Sequence, residues 1–234
     1  MTKQVSKLGK VEGKLLFRFI SFLALIIAIF SITFIGAGRI DYWQRWVFNG
    51  LNIIFILLSY FLLPPELIQE RLKPGEGMKG WDKIFSIIFV PVFFAILIIL
   101  VLDGGRFGWE PGIPVFVVII AALAYSIGQI IVLWAKRVNK FFSSVVRIQK
   151  DRNQTVCKDG PYHFVRHPGY LAGLFYIIAT PFVLGSFWGL IPAVVAVFLL
   201  VVRTYLEDET LQRELEGYKE YTNEVRYRLL PGIW

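Results

Sequence analysis

Residues 115–135 read VFVVIIAALAYSIGQIIVLWA, without one charged side chain. A helix needs about 20 apolar residues, at about 1.5 Å each, to cross about 30 Å of hydrocarbon. This stretch meets that length, and it is not alone. Val47–Leu63, Ile84–Leu102 and Leu190–Val202 are also free of charge, and Leu15–Ile35 carries only Arg18. The chain has 234 residues, 56% of them hydrophobic, and a mean hydropathy of +0.60. Soluble domains are less apolar and are broken by charge every few residues. The sequence therefore predicts an all-α integral membrane protein.

Four spans are expected, at roughly 15–36, 46–63, 84–102 and 115–135. Two shorter ones, roughly 168–184 and 187–203, are joined by Leu184-Gly185-Ser186-Phe187 and form a hairpin. These two carry Pro181 and Pro192 and are expected to enter the membrane with or without crossing it. The total is about six membrane helices, the last two a short hairpin, followed by a soluble helix from Arg203 to about Glu224. The first run is too long for a signal-peptide core, and Gly36-Ala37-Gly38-Arg39 is a poor cleavage site. Cys157 is the single cysteine, which excludes an intramolecular disulfide framework.

The net charge is +8. With six spans and both ends on one side, all Lys and Arg except Arg39, Arg45 and Arg106 fall on that side. The positive-inside rule makes it cytosolic, with both termini there. This asymmetry explains the basic balance without a nucleic-acid partner, and it favours anionic headgroups of the bilayer.

The polar segment Gly160-Pro161-Tyr162-His163-Phe164-Val165-Arg166-His167-Pro168-Gly169-Tyr170 stands at the mouth of the fifth run and holds both histidines of the chain. Pro168 suits the first position of a helix, with His167 as its N-cap. Arg166 and His167 would then sit at a helix N-terminus, where backbone N–H groups and the dipole favour an anion such as a ligand carboxylate or phosphate. Snorkelling to headgroups would also account for Arg166. His163 and His167 are four apart, but Pro168 argues against a shared helix and no third ligand completes a metal site, so no metal is expected. Gly169 and Gly173 form a small-xxx-small pair suited to close helix packing. Tyr162 and Tyr170 fit either a flat ligand ring or the membrane interface. The long connection from Lys136 to Arg166 is expected to be part helix, over Phe141–Lys150, and part loop.

After Val202, residues Arg203, Glu207, Leu211, Leu215 and Tyr218 fall on one helix face, and Tyr221 follows. This stripe could dock on the mouth of the bundle, with Gln212, Arg213, Glu216 and Glu220 facing solvent. Arg203 and Glu207 read either as a surface ion pair or as ligand contacts. Glu207-Asp208-Glu209 is the natural partner of the basic 136–167 connection, through charge or through a shared ligand.

Gly160-Pro161-Tyr162, Arg166-His167-Pro168-x-Tyr170 with Gly173, then Arg203-x-x-x-Glu207-Asp208-x-x-Leu211 and Tyr218-x-x-Tyr221, resemble the isoprenylcysteine carboxyl methyltransferase family and its phospholipid methyltransferase relatives. The resemblance covers about 140–234. It implies an S-adenosylmethionine-dependent membrane methyltransferase with residues 1–135 as scaffold and 136–234 as the methyltransferase-like region. Carried over position by position, Gly160, Tyr162, Arg166, His167, Pro168, Tyr170, Gly173, Glu207 and Asp208 would line or shape the cofactor site. Arg203 and Glu207 would be the catalytic pair, with Arg203 facing a small-molecule or lipid-like acceptor. Two positions depart from the family pattern. Asp208 replaces a Glu, and Gln154 replaces a His of the eukaryotic prenylcysteine enzymes. The second bears on the acceptor more than on the cofactor. A membrane reductase using NADPH, or a transporter or scaffold, are the competing readings. No span carries an Asp, Glu or Lys that would mark a transport pathway.

Overall fold

The computed structural model describes residues 19–65, 67, 77–109 and 112–234. The N-terminal cations Lys3, Lys7, Lys10, Lys14 and Arg18, the start of the first span, and Arg71 and Lys73 of the connection after the second span lie outside the described residues. The described residues form helices and irregular connections. In chain order the helices are α1 (Phe19–Ile35), α2 (Trp43–Leu62), α3 (Gly80–Val101), α4 (Val115–Val138), α5 (Pro168–Val183), α6 (Leu190–Glu214) and α7 (Tyr218–Glu224). α1 ends in a π-helical turn at Ser31–Ile35, and α3 runs on into another at Leu102–Phe107.

Among the described residues, four helices are long and apolar enough to cross a membrane: Trp43–Leu62, Gly80–Gly104, Val115–Val138 and Leu190–Glu214. α1 and α5 are apolar but shorter. Large apolar side chains stand outward along the long helices, with Phe61 76%, Ile87 72% and Val194 68% exposed. A surface of that kind belongs in lipid, where apolar exteriors carry no penalty. The chain is a membrane protein.

The interior combines bulky apolar side chains with alanines and glycines at the close helix contacts. Phe48, Ile96, Leu100, Ala121, Tyr125, Ala179, Val183, Leu184 and Ala196 form one buried cluster joining α2 to α6. At Gly128 an added Cβ would stand 2.8 Å from Cβ of Phe175, so α4 and α5 touch almost backbone to backbone. Gly173 makes room for a side chain instead, since an added Cβ would stand 3.1 Å from Cδ2 of Leu200 on α6, while Gly169, the other half of the expected pair, faces the ring of Phe142 in the connection and not a helix.

Two expectations are corrected. The last membrane helix is not short. α6 continues through Arg203 to Glu214 as one helix of 25 residues, so the last span and the expected soluble helix are a single rod. Its composition changes at Arg203, but nothing there breaks a helix. The break comes at Leu215–Gly217, where Gly217 adopts φ +77°, and the short α7 follows. Phe141–Lys150 is the second correction. It is irregular up to a single 3₁₀ turn at Lys150–Arg152, because side chains cap its backbone locally. Asn139 Oδ1 accepts the N–H of Phe141 at 2.9 Å, and Gln154 Oε1 accepts that of Gln149 at 2.7 Å.

Candidate active site

The connection 139–165 folds over the basic end of the bundle. Beneath it lies a cavity of about 480 Å³, walled by this connection, by α2, α4 and α5, and by α6 and α7. The stripe read from the sequence reaches it whole: Arg203, Glu207, Leu211, Leu215, Tyr218 and Tyr221 all line the wall. Leu211, Leu215, Tyr218 and Tyr221 pack with Ile148 and Val156, so the rod and the connection share an apolar seam.

Pro168 opens α5, with His167 at the N-cap, as its sequence position predicts. The carbonyl of His167 accepts the N–H groups of Tyr170 and Leu171. The imidazole turns inward and is 5% exposed, whereas His163 is exposed on a 3₁₀ turn at Gly160–His163. The two histidines therefore part company.

Glu207 and Asp208 are neighbours with different surroundings. Glu207 lines the cavity, and the hydroxyl of Tyr170 donates to its carboxylate. Asp208 is fully buried behind the wall. Arg166 Nε and Nη2 grip its two oxygens at 2.8 and 3.0 Å. Arg228 Nε donates at 2.8 Å, Gln212 Nε2 at 2.8 Å and the Tyr218 hydroxyl at 3.1 Å. His167 Nε2 lies 3.1 Å away. The expected pairing of the acidic cluster with the 136–167 connection is here a charge pairing. Gln212, expected to face solvent, belongs to this hub.

Arg166 is used up by the same hub. Its Nη1 donates to the carbonyls of Val225 and Arg226, both at 2.8 Å. The N–H groups of Arg166 and His167 also donate to the carbonyls of Tyr227 and Arg228. The C-terminal segment is thus laced to the Arg166-His167 dipeptide. Burial acts to lower the Arg166 pKa, but the hydrogen bonds and charge of Asp208 outweigh it and raise it. Burial, followed by the charge of Asp208, pushes the Tyr218 hydroxyl well above its ordinary range. Burial also raises that of Tyr162, which accepts from Asn139 Nδ2 at 2.9 Å.

Arg203 lines the cavity, but its guanidinium is held from behind. Nε and Nη2 donate to the two oxygens of Asp82 at 2.9 and 3.2 Å, and Nη2 also reaches the carbonyl of Ser144 at 3.0 Å. The ring of Phe85 lies 4.8 Å from the guanidinium carbon and that of Tyr170 5.6 Å. Of the two sequence readings, a surface pair between Arg203 and Glu207 is not what forms. Each has its own partner.

The structure brings Tyr162, Arg166, His167, Pro168, Tyr170, Arg203 and Glu207 to the cavity wall. Gly160, Gly173 and Asp208 stand behind it. Gly160 takes φ +58° against Trp134, where a Cβ would approach Nε1 to 2.7 Å. Sequence reasoning did not single out Asp82, which is fully buried in the first turn of α3 and also accepts the N–H of Val146 at 2.7 Å. An acid at a helix start is so common that its buried partner gave no signal. Asn52, Tyr125, Gln129 and Tyr176, at the deep end of the cavity, were also missed.

Residues 116–216 match the family model for phospholipid methyltransferase. The match starts inside α4 and ends just past α6, and it covers somewhat under half of the chain. Over this segment the likeness to phospholipid methyltransferases read from the sequence is borne out. No curated protein matches the chain.

Proposed function

We propose that the chain is an S-adenosylmethionine-dependent methyltransferase, working at the cytosolic face of a membrane on a small or lipid-linked acceptor. The observation that carries this reading is the placement of Glu207, on the wall of a cavity that lies at the basic end of the bundle and extends down between α2, α4 and α5.

The lining fits the cofactor. A carboxylate is available for a ribose diol, tyrosine and phenylalanine rings are available for a planar base or a cation, and about 480 Å³ is within the range of small-molecule sites. When bound, the cofactor supplies a methyl group on a positively charged sulfur. Glu207 would accept hydrogen bonds from the ribose hydroxyls, with Tyr170 fixing its carboxylate. Tyr162, His167 and Pro168 would shape the same end. Arg203, fixed by Asp82, would present positive charge to an anionic group of the acceptor. Its fork is already set by two hydrogen bonds to Asp82, so little order is lost when it is used. The 139–165 connection excludes water above, and the bilayer excludes it below. A carboxylate or thiolate acceptor, including that of a prenylcysteine-like compound, is already nucleophilic. For it, the chain needs to supply only position and dryness. An amine acceptor would first have to lose a proton, and Glu207 is the carboxylate at hand.

The proposal includes a multi-pass chain with both termini cytosolic, supported by the one-sided placement of Lys and Arg. A cysteine at exposed Arg106, in a Cys157→Ser background, should be labelled only from outside. Labelling only from the cytosol would invert the orientation. The activity itself is tested by incubating the purified protein with methyl-labelled S-adenosylmethionine and membrane extracts. Label transferred to a lipid-soluble product supports the reading. Saturable binding of NADPH without binding of S-adenosylhomocysteine would replace it with the reductase alternative.

A further inference from the structure

The cavity has a second end. Below the level of Tyr170 and Glu207 it runs between α2, α4 and α5, and there its wall carries Asn52, Tyr125, Gln129 and Tyr176. Counted along α4, Gln129 lies about 10 Å and Tyr125 about 16 Å from Lys136, near the middle of the hydrocarbon layer. Tyr176 lies about 9 Å along α5 from Tyr170. Polar groups at that depth are costly unless they meet a partner.

Three of the four are coupled to one another. The Tyr125 hydroxyl donates to Asn52 Oδ1 at 2.9 Å, and Gln129 stands beside the same hydroxyl. Asn52 Nδ2 is spent on the carbonyl of Phe48 at 2.8 Å. These bonds tie α2 to α4, and packing alone would explain them. Tyr176 is different. Its ring packs on that of Tyr125 at 5.2 Å, yet its hydroxyl is buried with no hydrogen-bond partner. A phenylalanine would pack equally well without the cost of an unpaired hydroxyl.

We infer that this deep compartment is a subsite for an uncharged hydrogen-bonding group of the acceptor. The acceptor is then a membrane-soluble molecule with a hydroxyl or carbonyl that lies deeper in the membrane than the group that is methylated. The four side chains are all neutral, so a carboxylate, phosphate or ammonium would be unpaired there, whereas a hydroxyl or carbonyl would meet both donors and acceptors. The tail of such a molecule continues between helices that are already lipid-facing. This inference rests on the methyltransferase reading for the word acceptor, but the compartment can be probed by binding alone.

The test uses the full-length protein in lipid nanodiscs and two photoreactive probes, a dodecanol analogue and the matching dodecane. The alcohol should label the walls of the compartment saturably and be displaced by excess dodecanol, and the alkane should not. Tyr176→Phe removes one unpartnered oxygen and should leave thermal stability intact. It should weaken the alcohol by about three- to tenfold and leave S-adenosylhomocysteine affinity unchanged. Equal labelling by the two probes, or an alcohol preference that survives Tyr176→Phe, would overturn the subsite. Wild-type protein that binds S-adenosylhomocysteine but shows no alcohol preference refutes this inference alone. Protein that shows the preference but binds no S-adenosylhomocysteine keeps the subsite and loses the methyltransferase reading.

Discussion

Glu207 and Asp208 are consecutive residues on one helix, and they belong to two different parts of the molecule. Glu207 faces the cavity with Tyr170 as its partner. Asp208, about 100° further round α6, faces the packed side and takes contacts from Arg166, His167, Gln212, Tyr218 and Arg228. One is a wall, and the other is the brace that keeps the wall in place. The brace joins three segments that are distant in sequence: the start of α5, the end of α6 and the C-terminal tail. Two acids of the same type thus separate by where their face points, and motif membership alone does not assign a role.

That difference can be broken from either side. The largest effect is expected at the brace. Asp208→Ala leaves Arg166 and Arg228 buried or half-buried around a missing charge, and breaking such a pair costs about 3–5 kcal/mol. The variant should show a large loss of thermal stability, with cofactor binding lost as a consequence. Native stability in Asp208→Ala would mean the hub is ornamental. A smaller effect is expected at Asp82, which braces Arg203 as Asp208 braces Arg166. Asp82→Asn should cost about 1.5–3 kcal/mol in chemical denaturation. It should also raise the Michaelis constant for the acceptor while S-adenosylhomocysteine affinity stays near wild type. A purely structural Asp82 would move both together. The smallest effect is expected at the ion pair of Lys158 and Glu224, 2.6 Å apart but with both side chains about half exposed. Lys158→Ala should change stability by less than about 1 kcal/mol and binding not at all.

Much of this arrangement could be read from the sequence, for identifiable reasons. The charge-free runs fixed the helical membrane class, and the spacing of Arg203, Glu207 and Leu211 placed those three on one wall; Leu215, Tyr218 and Tyr221 reach the same wall through the break at Leu215–Gly217 and through α7. Pro168 announced the start of α5. What stayed hidden depends on contacts between distant segments. The change of composition at Arg203 resembled an element boundary, yet α6 runs through it because no glycine or proline intervenes. Asp82 resembled an ordinary first-turn acid until α6 brought Arg203 to it. Asn52 and Gln129 are amides scattered in apolar runs, and a sequence does not say which face of a membrane helix is turned inward.

The central claim is that Glu207 holds a nucleoside-bearing methyl donor in this cavity. Titrating S-adenosylhomocysteine into purified wild-type protein and Glu207→Gln, with a melting curve for each, tests it most directly. Wild type should bind saturably. Glu207→Gln should melt near the same temperature and bind about tenfold or more weakly, as the loss of a charge-assisted contact requires. Equal affinity in the two proteins, at equal stability, would contradict the account.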